Sequence, residues 1–252
     1  MPEDPRESMR DRAKRDAGER AVAELRDDMR IGLGTGTTAR HFVKALADAV
    51  HAGTLRPGRM VTTSEATAEL ARQFGLEVDA NPEGAYPLDV DIDGADAFDR
   101  TGSLVKGRGG ALLREKCIAA ASRRFIALVD PSKEVSALRP PLRIPVEVIP
   151  FTWRDTAGRL ERADLGRPRL RTVERGLGEE VPFVTDGGHY ILDVDVPEDA
   201  RDLSLWAKRA KSLVGVVEHG LFLVPDLFVP GSVTIVIGHG DGSAEAFTPG
   251  GP

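Results

Sequence analysis

The stretch IGLGTGTTARHFVKALADAV, residues 31–50, decides the fold. It begins inside the short apolar run MRIGL, passes through Gly32, Gly34 and Gly36, and then carries Phe42, Ala45, Leu46, Ala49 and Val50 on one helical face. Strand, glycine loop and helix in that order open an α/β sheet. The loop reads as an anion cradle: glycines allow close backbone approach, the helix start presents unpaired N–H groups, and Thr35, Thr37 and Thr38 add hydroxyls. Its G-x-G-x-G spacing, with no acidic residue closing the next strand MVTTS, differs from a dinucleotide fingerprint, so a small phosphate ester is the better ligand.

Working outward, the alternation continues. EATAELARQFG is a helix, PLDVDID a strand, ALLREKCIAAAS a helix and FIALVD an apolar strand. The fold class is therefore α/β, a Rossmann-like, mostly parallel sheet with helices on both faces. Upstream, residues 7–28 read as an exposed amphipathic helix. From about Arg143 the rhythm changes to strands around IPVEVIP, PRLRTV and PFVTDGGHYILDV with helices TWRDTAGRLERA and DLSLWAKRAKSL. Residues 143–218 are expected to form a smaller inserted α+β (ferredoxin-like) domain, with PFVTD and HYILDV as a hairpin across Gly187-Gly188. The catalytic domain then comprises 1–142 and 219–252, and its tail, 239–252, is expected to be disordered because it has little to bury.

The 252 residues carry a net charge of −6, with 41% hydrophobic and 29% charged residues. That balance suits a globular protein and argues against nucleic acid as a partner. No apolar run reaches membrane-spanning length, the N-terminal residues are charged, and Cys117 is the sole cysteine, so a cytoplasmic location is expected. Cys117 itself reads as a small apolar helix residue. The five histidines show no metal-binding spacing, and no metal or cofactor is expected.

DVDIDGADAFD, residues 89–99, copies the first half of a calcium loop but has Arg100 where a bidentate Glu belongs. The alternation of Leu88, Val90 and Ile92 makes it a strand, with Asp89, Asp91 and Asp93 on one face and Gly94-Ala95 turning at its end. In LVKGRGGALLREK, residues 104–116, Lys106 precedes a second glycine loop, Gly107-Arg108-Gly109-Gly110, and Glu115 follows in the first turn or so of a helix. Side chains there lean back toward the loop, although Glu115 alone is as readily a helix-dipole partner or an ion pair of Arg114 or Lys116. Lys133 sits in the turn of VDPSKEV, and parallel strands bring that turn beside the other two loops.

Taken in order, GLGTGTTA, IDGAD, KGRGGALLREK, VDPSKEV, IPVEVIP, TDGGHYILD and VVEHGLF resemble the ribose-5-phosphate isomerase A family from about Ile31 to Phe222. The resemblance implies a cofactor-free homo-oligomeric enzyme, dimer or tetramer, of the non-oxidative pentose phosphate pathway, interconverting D-ribose 5-phosphate and D-ribulose 5-phosphate. It implies Glu115 as catalytic base, Lys106, Asp93 and Asp96 as catalytic partners, and Thr35, Gly36, Thr37, Thr38, Gly94, Ala95, Gly107, Arg108, Gly109 and Lys133 as substrate contacts. Asp89 and Asp91 receive no role and read as structural or solvated, and Asp99 as turn surface. Arg108 stands where a glycine is common, Ala97-Phe98 replaces an acidic residue after GAD, and Gly187-Gly188-His189 replaces an asparagine-containing turn. Arg108 is placed to contact the phosphate, narrow the pocket or point outward. Competing expectations are an isomerase of another aldose phosphate, a coenzyme A transferase-like enzyme and a sugar-phosphate sensor. IDGAD with Lys106 speaks against the transferase, and Glu115 with Asp93 against the sensor.

Overall fold

A computed structural model describes residues 5–79, 82–176 and 178–250. The chain opens with α1 (Pro5–Val22) and lays down β1 (Ile31–Leu33), α2 (Thr37–His51), β2 (Met60–Thr62), α3 (Glu65–Gln73) and β3 (Val90–Gly94). β1 pairs in parallel with both β2 and β3, so Gly32 faces Val61 on one side and Asp91 on the other. β4 (Ala97–Phe98) and β5 (Leu104–Val105) form a short antiparallel pair that leads to α4 (Leu112–Ala120) and β6 (Phe125–Val129). β6 returns beside β3 in parallel.

β7 (Arg143–Val148), α5 (Trp153–Arg162), β8 (Arg167–Leu170), β9 (Thr172–Arg175), β10 (Glu179–Pro182), β11 (Tyr190–Asp195), α6 (Leu203–Lys211) and β12 (Val216–His219) follow. From them a four-stranded antiparallel sheet is built in the order β12-β7-β11-β8. α5 and α6 supply Leu160, Trp206 and Ala210 to its buried face, and Trp206 Nε1 donates to the Leu165 carbonyl at 2.8 Å. β13 (Leu221–Phe222) then pairs with β5, α7 (Val224–Leu227) follows, and β14 (Val233–Gly238) and β15 (Ala244–Phe247) complete the main sheet, ordered β15-β14-β6-β3-β1-β2.

All five residues of β6 are buried, as expected for a strand covered on both faces. Ile126 and Leu128 point to the side where α1 and α2 bring Ala17, Phe42 and Leu46; Phe125, Ala127 and Val129 point to the side of Phe222 and Phe228. The two-residue strand period applies equally to β3. Val90 and Ile92 join the first side, so Asp91 and Asp93, in register with Phe125 and Ala127, are committed to the second, where α4 lies.

Four expectations are corrected. α1 ends at Val22 and is not merely an exposed helix: Ala13, Asp16, Ala17 and Ala21 are buried, and at Gly18 a Cβ would lie 2.7 Å from the Phe42 amide nitrogen. Beyond Gly238 the chain does not disorder; Ala244–Phe247 adds an antiparallel edge strand to β14, because the buried Asp16 carboxylate accepts the Gly240 and Gly242 amides at 2.8 and 3.0 Å and Arg100 stacks on Phe247. Residues 251–252 of that tail lie outside the described residues. PFVTD does not pair with HYILDV as a hairpin. A tight turn joins Thr185 to His189, while the hairpin forms between β9 and β10, and β11 takes β7 and β8 as neighbours. Asp99 is buried, its carboxylate accepting the amides of Thr101 and Leu138, both at 3.0 Å.

Candidate active site

The loops after β1, β3 and β6 converge at one end of the parallel sheet, where open α/β sheets place ligands. Gly34 and Asp93 are the closest approach: a Cβ on Gly34 would lie 2.2 Å from Asp93 Oδ1. The Asp93 carboxylate therefore lies across the glycine backbone, Oδ1 accepting the amides of Thr35 (3.0 Å) and Gly94 (2.7 Å). Its Oδ2 is 3.0 Å from Lys106 Nζ, which donates to the Gly94 carbonyl at 2.5 Å and lies 3.5 Å from Glu115 Oε2. Asp93, Lys106 and Glu115 are all less than 5% exposed, and the Phe222 ring centroid lies 5.6 Å from the ammonium.

Burial sets the proton affinities. It pushes Glu115 up to about 8, the charges of Asp93 and Asp96 adding to the effect and Lys106 opposing it. Asp93 is likewise raised by burial, with Lys106 and the Gly94 and Thr35 amides pulling it back. For Lys106 burial works downward, yet Asp93 and Glu115 outweigh it and hold the ammonium above the usual lysine range. The result is a cation kept charged beside a carboxyl of unusually high basicity.

A second sheet holds the glycine loop. Arg171, paired with Asp193 at 2.5 and 2.9 Å, donates to the Gly107 and Arg108 carbonyls at 2.8 and 3.0 Å. The Gly110 φ of +87° and the Phe183 ring 2.3 Å from where its Cβ would be require glycine there. The Arg108 amide donates to Asp96 Oδ2 at 2.8 Å, which fixes the second carboxylate of the GAD turn.

Around these groups is a cavity of about 190 Å³ lined by Gly36, Thr37, Thr38, Gly94, Ala95, Asp96, Lys106, Gly107, Gly109, Glu115 and Lys133, all expected from sequence. Gly36 caps α2 with φ +107° and no side-chain acceptor, leaving the first helical amides to a ligand. The buried Asp130 caps the turn that carries Ser132 and Lys133, accepting the Ser132 amide at 2.9 Å. Arg10 and Lys14 from α1 complete the cationic rim and were not anticipated; their i, i+4 spacing is visible, but α1 is charged along most of its length.

Two expected contacts behave differently. Thr35 lines the cavity, but its hydroxyl turns inward to Thr63 (2.7 Å), Ser64 (2.8 Å) and Thr67 (3.2 Å), a buried hydroxyl cluster that takes it away from a ligand. Arg108 is exposed and is not among the lining residues, so of the three orientations open to it the outward one holds. A larger open groove of about 1180 Å³, among α5, β11 and α6, contains none of the buried acid–base groups and so lacks the means for the reaction. Among the described residues no group of three His, Cys, Asp or Glu is placed to hold a metal ion, and no helix is long and apolar enough to cross a membrane.

A base of raised proton affinity, a cation that cannot discharge, and an anion cradle at the other end of one small cavity suit proton transfer on a phosphorylated substrate. Known proteins point the same way. The family model described as ribose 5-phosphate isomerase A (phosphoriboisomerase A) matches residues 59–232. A ribose-5-phosphate isomerase A of Ruegeria pomeroyi is 44% identical over 93% of this chain and 86% of its own length. The isomerase structure from Methanocaldococcus jannaschii superposes with a TM-score of 0.81 at 31% identity, covering 93% of this chain and 97% of the other. A D-ribose-5-phosphate isomerase solved in complex with phospho-erythronic acid gives 0.80 at 30%, with the same coverages. With the family model matching most of its length and a relative 44% identical over nearly all of it, the chain belongs to the ribose 5-phosphate isomerase A family.

Proposed function

We propose that the protein interconverts D-ribose 5-phosphate and D-ribulose 5-phosphate, and that the carrying observation is Lys106 set between Asp93 and Glu115 beside the uncapped start of α2. The phosphate binds at the amides of Thr37 and Thr38 within reach of Lys14 and Lys133, which fixes the sugar carbons against Glu115. Asp96 and Asp93 serve ring opening by moving the proton between ring oxygen and hydroxyl. Ionised Glu115 then removes the C2 proton of the open aldose, the C–H electrons form a C1–C2 double bond, and the C1 oxygen takes the charge. Lys106 stabilises that oxygen more than the neutral carbonyl it replaces. A proton passes from the C2 oxygen to the C1 oxygen through the aspartates, and Glu115 returns its proton to C1, leaving the carbonyl at C2. That a related isomerase was solved in complex with phospho-erythronic acid, a phosphorylated sugar acid, supports a sugar phosphate as the ligand.

The test is conversion of ribose 5-phosphate in the presence of a chelator, with Glu115→Gln beside the wild type. A loss of at least about 10²-fold in the variant is expected, in line with general-base contributions; undiminished turnover removes Glu115 from its role. Assembly with copies of itself is also part of this reading, supported by Phe151 (91% exposed) and Val214 (73%), brought close by the Ile149 amide on the Gly215 carbonyl. Light scattering of Phe151→Glu should show a lower mass than wild type, and an equal mass removes this surface from assembly. A cytoplasmic location suits the exposed thiol of Cys117, which a reducing compartment keeps free.

A further inference from the structure

Asp91 lies two residues before Asp93 on the same face of β3 and takes no part in the steps above. It is fully buried, and neither carboxylate oxygen has a hydrogen-bond donor. Its Oδ1 occupies the space that a Cβ on Gly32 would need, 2.5 Å away, with Ile118 closing the other side. The ionisable groups that face it are Asp93 on the same strand, Lys106 just after β5, Glu115 from α4, and Tyr86 from the segment before β3. Of these only Lys106 is a cation, and it is already in contact with Asp93 and Glu115 at 3.0 and 3.5 Å. Asp93 has two amide donors to stabilise a charge; Asp91 has none from outside its own strand segment. A third carboxylate charge beside one ammonium in a dry site is costly, and the escape is to keep the proton. Burial and the neighbouring Asp93 and Glu115 raise this carboxyl well above its ordinary value, against the pull of Lys106 and the smaller one of the adjacent Ile92 amide.

We propose that Asp91 is a neutral, protonated carboxylic acid beneath the catalytic carboxylates, acting through them. While it holds its proton the enediolate forms beside a single ammonium and a limited negative charge, and when it releases that proton to water at high pH the added charge suppresses the reaction. The first half is independent of the isomerase activity, and the second rests on it. Asp91 is accordingly a tuning residue that sets the alkaline limit of the site, whereas Glu115 sets the acid limit.

The direct experiment is carbon NMR of the wild-type protein labelled with ¹³C at the aspartate side-chain carboxyls. One aspartate carboxyl should remain in the protonated position at pH 8 and be missing from Asp91→Asn. If all are ionised at pH 8, or if the protonated signal persists in Asp91→Asn, the proposal is overturned whether or not the chain turns over ribose 5-phosphate. The second readout is kcat/KM against pH. Wild type should fall by about tenfold per pH unit on the alkaline side, and Asp91→Asn should keep the acid limb while losing that fall. An unchanged alkaline limb in the variant overturns the link to catalysis. Should Asp91→Asn fail to fold, Asp91→Ser gives the same comparison, with the same two outcomes.

Discussion

Gly34→Ala tests whether the glycine loop is shaped around Asp93. The new Cβ would lie 2.2 Å from Asp93 Oδ1, 2.3 Å from its Cγ and 2.5 Å from its Cα. Rotating the carboxylate relieves the first two contacts and not the third, since that is backbone. Ordinary carbon contacts begin near 3.5 Å, so β1 and β3 must part by about 1 Å at this point. Overpacking of this kind costs about 1–3 kcal/mol. The Thr35 amide would also be drawn off the Asp93 carboxylate, about 1.5–3 kcal/mol more for a hydrogen bond to a charged group. A total of roughly 2.5–6 kcal/mol, against stabilities of about 5–15 kcal/mol, leaves a protein that folds but is weakened. Because the same shift carries Asp93 away from Lys106, turnover at saturating substrate should fall by about 10²-fold. Urea unfolding at 25 °C and steady-state kinetics on the folded fraction provide the assay. Gly36→Ala is the control: no atom lies within 4 Å of its Cβ, and only the φ of +107° opposes it, so its effect should appear in phosphate binding and leave the acid–base pair in place. If Gly34→Ala loses less than about 1 kcal/mol and turns over within about threefold of wild type, close approach of the two strands is not what the glycine serves.

Glu115 holds its proton to about pH 8 in the folded protein, whereas in the unfolded chain it ionises near about pH 4.3. Between those values the folded state binds more protons, so its stability falls as pH rises, and urea midpoints of Glu115→Gln should gain on wild type from pH 5 to pH 8.5; a constant gap refutes the raised proton affinity. Lys14→Ala should raise KM for the sugar phosphate by about tenfold and weaken inhibition by inorganic phosphate in parallel, with kcat less affected, while Arg15→Ala on the exposed side of α1 changes neither. Arg171→Ala should lower kcat with little change in phosphate inhibition, since it frees the Gly107 and Arg108 carbonyls and leaves the α2 cradle intact; equal loss of phosphate affinity would place its effect elsewhere.

The parallel sheet was legible because β1 and β6 are announced by short apolar runs and β3 by apolar alternation, with a glycine just after β1 and another at the end of β3. Once those strands are parallel, Asp93 and Lys133 must come to one end, and Lys106 and Glu115 reach it through the intervening loop and helix. What escaped the sequence depends on partners distant along the chain. The inward turn of the Thr35 hydroxyl is dictated by Thr63, Ser64 and Thr67, about thirty residues later. β15 has little apolar pattern because an edge strand is held by main-chain pairing, and here by the Asp16 carboxylate from the other end of the chain. Asp99 looks like surface until the Leu138 amide is seen to need an acceptor. Arg10 and Lys14 cannot be singled out on a helix where charge is the rule.

The glycine loop itself changes meaning in the structure. Gly32, Gly34 and Gly36 look equivalent in GLGTGTTA, three openings for one phosphate. Only Gly36 faces the cavity without a neighbour; the missing side chains of Gly32 and Gly34 are filled by the carboxylates of Asp91 and Asp93 from the adjacent strand. The period of two in β1 matches the period of two in β3, Gly32 in register with Asp91 and Gly34 just beyond the paired residues beside Asp93. Leu33 between them packs into the opposite core with Ile92. Two carboxyls are thereby admitted to the interior of a sheet that would otherwise have no room for them, and their burial is what raises their proton affinity. The sugar-phosphate end and the acid–base end of the site are in this way specified by one five-residue stretch, Gly32 to Gly36, through opposite uses of glycine: backbone opened to a ligand at one position, and backbone opened to the protein's own acids at the other two.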